Sequence, residues 1–409
     1  MGMSKERKAL FKKLRDEKYT ILVPDMCPIH FNLLCEIISR EGYKVKVVTP
    51  SGREAKDEGL RSIHNDACYP ALIVCGQFVA ELKSGNYDLN KTAVIMSQTG
   101  GGCRASNYIS MFRKAFAKEF PTVPVLSLNF SGLEKDASFP MGWHFIKNAI
   151  VALQYGDMIM NLYYQTASYE ERPGQAKEIA DECLRKLREK IDTKDFNKME
   201  KNMREIIADF SVIKIPEKRK PRVGIVGEIF VKYSSYANNN LADFLIKQGA
   251  EVVYPGLCEF LLYCIYNMIQ DYKRYGKSPI TAFAAKFVYR YFLKKCRKTD
   301  ALLEGTQFYP FEDFEFIVKE GERIINTGVK MGEGWVIPAE MLAFADHGVK
   351  NVVCVQPFGC LPNHIVGKGM VRPLKQLNPE LNVVPLDFDA SSSEVNQENR
   401  LKLMLSNLN

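Results

Sequence analysis

Short apolar runs alternate with amphipathic segments along the first third of the chain. His30–Glu41 and Asn107–Phe120 repeat their apolar residues about every three to four positions, as an amphipathic helix does. The intervening runs have the length and composition of buried strands. Strands that alternate with helices are typical of a parallel sheet with helices on both faces. The predicted strands of this region are Tyr19–Pro24, Tyr43–Val48, Thr92–Met96 and Val123–Leu128.

Helical periodicity takes over between about residues 139 and 208, with an apolar segment at Ala149–Tyr164 and a charged one at Ala176–Ile191. The alternation returns at Pro221–Glu228, an apolar strand that ends in a glycine turn. A second helical block is predicted at about 259–298. The remaining predicted elements are the strands Glu251–Tyr254, Asn351–Val355 and Asn382–Leu386 and the helices Asn240–Gln248 and Glu394–Leu405.

This order of elements predicts the fold class. A chain of 409 residues exceeds what one hydrophobic core usually holds. We therefore predict an α/β protein with two Rossmann-like parallel-sheet domains and helical insertions. The N-terminal domain is expected at 1–140 and a helical connector or cap at 141–215. The C-terminal domain is expected at 216–409, with its helical insertion at about 259–298.

Composition narrows the classes of function. The formal net charge is +8 and the basic residues are scattered, so we expect no nucleic-acid partner. No apolar run reaches the length of about 18 residues that a membrane span needs, and we expect no membrane partner. The charged N-terminus lacks the apolar core of a signal peptide, which predicts a cytoplasmic protein. The positive charge would favour an anionic substrate such as a coenzyme A ester.

Cysteine is the unusual residue of this sequence. The chain has 11 cysteines, an odd number, and a disulfide framework is not expected without a secretory signal. Buried apolar thiols and metal ligands remain as interpretations. We interpret seven cysteines as packing or helix-surface thiols, and these are Cys35, Cys75, Cys183, Cys258, Cys264, Cys296 and Cys354.

Cys68, Cys103 and Cys360 differ because turn residues surround each of them, and the last two follow apolar strands. Ligands of open α/β sheets bind at the carboxyl ends of strands. The glycines before Cys103 supply backbone N–H groups, and Arg104 adds a positive charge that favours the ionised thiol. Spacing alone leaves a packing role open for all three cysteines.

Three further residues are weak candidates for catalysis. His64 and His364 lie near the cysteine turns, and either could transfer a proton. Glu228 follows the strand Val223–Gly227, which is a plausible cleft position. Gly224 and Gly227 resemble half of a phosphate-binding loop, but the full glycine pattern is missing and a plain glycine turn is the favoured interpretation.

Four strings of residues resemble one known family across nearly the whole chain. They are His64–Gln77 (HNDACYPALIVCGQ), Ser97–Tyr108 (SQTGGGCRASNY), Val223–Gly227 (VGIVG) with Glu228, and Gln356–Lys368 (QPFGCLPNHIVGK). The family is related to 2-hydroxyacyl-CoA dehydratase subunits, such as those that act on 2-hydroxyglutaryl-CoA, and to double-cubane-cluster proteins. Its domain also forms the C-terminal region of long relatives that begin with actin-fold activator ATPase domains.

The resemblance implies an oxygen-sensitive iron–sulfur cluster, of the [4Fe–4S] or double-cubane type. Cys68, Cys103 and Cys360 look like its ligands, and Cys27 could be a fourth. The implied partners are an activator ATPase that donates electrons in trans, an acyl-CoA substrate, and a second chain in a homodimer or heterodimer. The expected activity is that of a lyase or of a low-potential reductase. Two other classes remain open: a non-catalytic cluster scaffold or electron carrier, and a nucleotide-binding α/β protein with inert cysteines.

Overall fold

The computed structural model describes residues 5–48, 52–64, 67–98, 102–129 and 139–406, and the chain divides into two compact units. The first unit comprises the chain up to Ala149 together with Pro357–Cys360 and Phe388–Ser392. The second unit comprises Ile150–Gln356, Leu361–Asp387 and the chain from Ser393 onward. Each unit contains a four-stranded parallel sheet flanked by helices, so the predicted α/β class with two Rossmann-like sheets is confirmed.

The first unit is built on a sheet with the strand order β2-β1-β3-β4. Thr20 on β1 is paired with Lys44 on one side and with Thr92 on the other, which places β1 inside the sheet. The strands are β1 (Thr20–Val23), β2 (Lys44–Val47), β3 (Thr92–Gln98) and β4 (Val125–Asn129). The helices are α1 (Lys5–Asp16), α2 (Pro28–Arg40), α3 (Glu54–Ser62), α4 (Tyr69–Lys83) and α5 (Tyr108–Glu119).

Helices α3 and α4 approach each other closely because glycine lies on both sides of their contact. A Cβ atom on Gly76 would lie 1.8 Å from the carbonyl oxygen of Ala55, and one on Gly59 would lie 2.2 Å from that of Leu72. No side chain fits at either distance. Nearly every residue of α4 is buried, which explains why its sequence is continuously apolar rather than periodic.

The chain passes from the first unit to the second within helix α6. The predicted helical region contains three helices, which are α6 (Trp143–Thr166), α7 (Gln175–Lys190) and α8 (Met199–Phe210). The second sheet has the strand order β6-β5-β7-β8, so it repeats the connectivity of the first. Its strands are β5 (Arg222–Gly227), β6 (Glu251–Val253), β7 (Asn351–Pro357) and β8 (Asn382–Phe388).

Helices surround this second sheet. They are α9 (Ile229–Tyr233), α10 (Leu241–Lys247), α11 (Leu257–Tyr275), α12 (Pro279–Asp300), α13 (Phe314–Ile324), α14 (Val336–Asp346), α15 (Leu361–Val366), α16 (Val371–Leu377) and α17 (Glu394–Ser406). Trp335 is fully buried and donates a hydrogen bond from Nε1 to Oδ1 of Asn267 on α11 at 3.1 Å. None of the described helices combines the length and the apolar character that crossing a bilayer requires.

The glycines at the end of β5 have a packing role. Gly227 has a φ of +127°, and a Cβ atom there would lie 2.1 Å from the carbonyl oxygen of Val355 on β7. A Cβ atom on Gly224 would meet the ring of Phe344 at 2.6 Å. Close packing therefore accounts for both glycines, in agreement with the glycine-turn interpretation. Asn238 Oδ1 accepts a hydrogen bond from Leu241 N at 3.1 Å and so caps α10.

Candidate functional site

All four candidate cysteines occupy the residue immediately before a helix or a helical turn. Cys27 precedes α2, Cys68 precedes α4, and Cys103 precedes the 3₁₀ turn Arg104–Asn107. Cys360 directly precedes α15. The first N–H groups of a helix lack partners within the helix, and they favour negative charge nearby. This position is suited to a thiolate.

Two of these cysteines lie on segments that contact each other within the first unit. The backbone N–H of Tyr69 donates a hydrogen bond to the carbonyl oxygen of Phe358 at 3.4 Å. A Cβ atom on Gly359 would lie 3.7 Å from the Cα of Cys68, and Gly359 has a φ of +77°. The turn that carries Cys360 therefore packs on the turn that carries Cys68. Cys68 and Cys360 are both buried.

The segment after Cys103 reaches the same place. Arg104 Nη1 lies 3.9 Å from the position of a Cβ atom on Gly359. The sulfur of Cys68 and the hydroxyl group of Tyr108 form a hydrogen bond of 2.6 Å. The turn of Cys68 thus contacts both the turn of Cys360 and the segment that follows Cys103. Neither Arg104 nor Tyr108 could be assigned this contact from sequence, because the contact depends on tertiary packing.

Part of each motif lies outside the described residues. Asn65 and Asp66 before Cys68 fall there, and so do Thr99, Gly100 and Gly101 before Cys103. The predicted contribution of these two glycines to a thiolate site therefore stays a prediction.

Among the described residues, no three His, Cys, Asp or Glu side chains converge in a way that could hold one ion. In an iron–sulfur cluster each thiolate binds a different iron atom, so the ligands can lie farther apart than those of a mononuclear site. Gly359 leaves open the space that a side chain would fill next to Cys68.

Cys27 has a different environment. Its sulfur forms a hydrogen bond of 2.9 Å with Nδ1 of His30 one turn along α2, and both residues are buried. Asp25 lies nearby in sequence, and burial raises its pKa to about 6. Sequence reasoning did not identify Asp25. A buried carboxyl group ahead of a helix gives no periodic signal.

The cysteines interpreted as packing thiols are mostly enclosed. Cys75, Cys183, Cys258 and Cys354 are buried. Burial raises the pKa of the Cys75, Cys183 and Cys354 thiols to about 12 in each case. A thiol that stays protonated is a poor metal ligand. These four residues therefore have the properties of apolar core side chains.

Glu228 lies at the carboxyl end of β5, in the second unit. Its Oε2 accepts a hydrogen bond from Val231 N at 2.8 Å, so the side chain caps α9. Glu333 Oε1 accepts from Ile229 N at 3.0 Å in the same region. Burial, followed by the charge of Glu333, raises the pKa of Glu228 to about 8. Glu228 thus holds a proton near neutral pH.

A buried lysine lies one turn further along. Lys232 on α9 is 3% exposed, and its Nζ lies 3.5 Å from Oε1 of Glu340 on α14. Burial and the neighbouring Glu340 raise the pKa of Glu259 on α11 well above its usual value. This group of one amine and several carboxyl groups was not predicted. Its members come from three helices that are distant in sequence.

The two candidate histidines differ in their surroundings. His64 is exposed. His364 is half-buried, and its Nδ1 lies 4.0 Å from Oδ1 of Asp387 on β8. When the Gln356 amide is oriented so that its oxygen accepts from Lys368 N at 2.8 Å, its nitrogen donates to His364 Nδ1 at 3.2 Å. In this arrangement the proton of neutral His364 resides on Nε2.

Comparisons with known proteins do not identify these sites. No protein-family model matches the chain, and no curated protein shows significant similarity to it.

Proposed function

We propose that this chain binds an iron–sulfur cluster through Cys68, Cys103 and Cys360, as a component of a 2-hydroxyacyl-CoA dehydratase-like or ATP-driven low-potential reductase system. One observation carries the proposal: the turn of Cys68 contacts both the turn of Cys360 and the segment that follows Cys103. A packing role for each cysteine would not require the three turns to come together.

The surrounding residues suit bound thiolates. The hydroxyl group of Tyr108 can donate to the sulfur of Cys68, and hydrogen bonds to ligand sulfurs are one of the factors that set cluster potential. Arg104 brings a positive charge to within 3.9 Å of the Gly359 Cβ position. Backbone N–H groups at each helix start favour the ionised thiol. A bound cluster would supply electrons at low potential, and three protein thiolates would leave one iron atom available to another ligand.

His364 and Glu228 carry the polar hydrogens that the proposed chemistry would use. The Gln356 amide donates to Nδ1 of His364 and orients the ring, so Nε2 carries the hydrogen and can donate a hydrogen bond. Glu228 is the candidate proton donor, because burial and the charge of Glu333 raise the pKa of its carboxyl group to about 8. These residues favour an enzyme over a scaffold.

The proposal includes partners and a location. The electron donor is an actin-fold activator ATPase that acts in trans, and the substrate class is an acyl-CoA. The assembly is a dimer of cluster-bearing chains, either identical or related, and it operates in an anaerobic cytoplasm.

Anaerobic purification followed by measurement of iron and acid-labile sulfide tests the proposal. The wild-type chain should contain both and should absorb broadly in the visible range. Single changes Cys68→Ser, Cys103→Ser and Cys360→Ser should each lower the iron content. Cys183→Ser and Cys296→Ser are matched controls that should retain it, because Cys183 is a buried thiol hydrogen-bonded to Asp209 and Cys296 lies on helix α12.

The outcomes separate the alternatives. A colourless protein without iron or sulfide would contradict every cluster proposal, and a nucleotide-binding α/β protein would remain. A bound cluster that accepts electrons but gives no turnover with activator and acyl-CoA would indicate a scaffold or an electron carrier. Full iron in all three serine variants would show that other residues hold the cluster.

A further inference from the structure

The hairpin formed by α11 and α12 presents a row of large apolar side chains to solvent. Ile280, Phe283 and Phe287 on α12 expose 81%, 79% and 74% of their surface. Their spacing of three and then four positions places them on one face of the helix. Single exposed apolar residues are normal on proteins, but a contiguous row marks an interaction surface.

Helix α11 pairs with α12 and carries exposed apolar side chains of its own. The rings of Tyr266 on α11 and Tyr289 on α12 are 6.0 Å apart. Met268, Tyr272 and Tyr275 on α11 are exposed. The apolar hairpin face is defined here as the stripe Ile280, Phe283 and Phe287 on α12.

Positive charge surrounds the apolar hairpin face. Lys286, Arg290, Lys294 and Lys298 of α12 are exposed, and none of them forms an ion pair with another residue in the described part of the chain. Helix α12 contains no acidic residue before Asp300, its last position. The acidic side chain of α11 near the hairpin tip, Asp271, is already paired with Lys277 and Lys330.

We propose that the α11–α12 hairpin docks on an anionic lipid surface, with the apolar hairpin face inserted among the headgroups. Aromatic and aliphatic side chains bordered by lysine and arginine are typical of helices that lie in the plane of a membrane interface. The 22 residues of α12 give it a length of about 33 Å, sufficient to lie along the surface. A helix in this orientation does not need the length or apolar character of a spanning segment. The proposal departs from the expectation of no membrane partner, which rested on the lack of such a segment.

Other occupants fit the charges less well. A second copy of the chain would bring two uniformly basic helices together, and like charges repel. Anionic headgroups complement the positive charge. A lipid surface also has no fixed shape, so it can accommodate side chains that protrude from a convex helix. This proposal goes beyond the proposed function and does not depend on the cysteines.

Co-sedimentation of the full chain with lipid vesicles tests the proposal. Vesicles of phosphatidylcholine with phosphatidylglycerol should bind the protein. Vesicles of phosphatidylcholine alone should bind it with an affinity at least about tenfold lower. Phe283→Ser combined with Phe287→Ser should reduce binding to the anionic vesicles. Lys286→Gln combined with Arg290→Gln and Lys294→Gln should reduce it too, and high salt should weaken binding of the wild type.

Val212→Ser combined with Leu403→Ser is the matched control, because both residues are exposed and apolar but lie outside the hairpin. This variant should bind like the wild type. Equal binding of wild type and the Phe283, Phe287 double variant would overturn the proposal. Equal binding to neutral and anionic vesicles, or none to either, would also overturn it. Light scattering tests the remaining alternative, that a second copy of the chain covers this face. If the wild type is a dimer, the double variant is a monomer and neither binds vesicles, the face is a dimer interface.

Discussion

The sulfur of Cys68 lies 2.6 Å from the hydroxyl oxygen of Tyr108, although the two residues are 40 positions apart in sequence. Tyr108 is the first residue of α5 and Cys68 is the residue before α4, so this hydrogen bond joins two helix starts. The Tyr108 ring stacks on Phe112 one turn later, with the ring centroids 6.2 Å apart. The hydroxyl group is therefore held in place by packing as well as by the thiol.

Changing Tyr108 to Phe should shift the reduction potential of the proposed cluster to a more negative value. The change removes a donor to a ligand sulfur but leaves the ring packing intact, and hydrogen bonds to sulfur help to set cluster potential. Iron content should stay at the wild-type level. A redox titration followed by electron paramagnetic resonance measures the shift.

Tyr155→Phe is the matched control for that experiment. Tyr155 is buried and donates to the carbonyl oxygen of Phe196 at 2.7 Å, in the second unit. Either Tyr-to-Phe change should lower the free energy of unfolding by about 1 kcal/mol, but only Tyr108→Phe should move the potential. An unchanged potential in Tyr108→Phe would argue against Cys68 as a ligand.

Cys27→Ser should leave the iron content unchanged. The thiol of Cys27 is hydrogen-bonded within its own helix turn, to Nδ1 of His30, whereas the hydrogen bond of the Cys68 thiol joins two helices. His30→Ala should lower the free energy of unfolding by about 1 to 3 kcal/mol, because it removes a buried partner and leaves a space. Iron analysis and urea unfolding measure the two effects. A loss of iron in Cys27→Ser would instead identify a fourth ligand.

Gly76→Ala should destabilise the first unit by about 3 kcal/mol, since the new methyl group would overlap the carbonyl oxygen of Ala55 and backbone cannot move aside cheaply. Gly142→Ala is the control, because nothing lies within 4 Å of its Cβ position. Its effect should stay within about 0.5 kcal/mol. Chemical denaturation measures both. Similar stability of the two variants would mean that α3 and α4 can separate without cost.

The free energy of unfolding should fall between pH 5 and pH 8 in the wild type, and Glu228→Gln should make this fall smaller. The pKa of Glu228 is about 8 in the folded chain, against a usual value of 4.5. Between these values the folded state holds a proton that the unfolded state has released, so stability falls as pH rises, by at most about 1.4 kcal/mol per pH unit. Glutamine cannot ionise, so the variant should show a flatter profile.

Denaturant unfolding at a series of pH values measures this profile. Glu217→Gln is the control, because Glu217 is exposed in the segment before β5 and its substitution should leave the slope unchanged. A wild-type slope that persists in Glu228→Gln would place the titrating group elsewhere, with Glu333 as the next residue to change.

The strands were predictable because buried parallel strands are continuous apolar runs with little else in them. Two of the helices that were not predicted have a physical reason in common. Helices α4 and α14 are buried on nearly all sides, so they lack the polar stripe that gives a helix its periodic pattern. Glu340 within α14 is charged but buried beside Lys232, and this pairing is invisible in the sequence.

The candidate site was predictable in part. Turn residues marked Cys68, Cys103 and Cys360 as candidate ligands because local geometry leaves a local signal, and their role as ligands stays a prediction. The partners of those cysteines could not be found in this way. In the sequence, Tyr108 has the pattern of an ordinary helix residue. Only the packing of α5 brings its hydroxyl group to Cys68.

The assignment of Pro357–Cys360 to the first unit has a consequence for synthesis of the chain. All four strands of the first sheet lie before residue 130 in the sequence. Cys360 follows about 250 residues after Cys103, which takes roughly 15 to 50 seconds at usual elongation rates. A nascent first unit can form its sheet during that time while it lacks its third thiol. A cluster that needs all three thiols can therefore be loaded only after Cys360 has been synthesised.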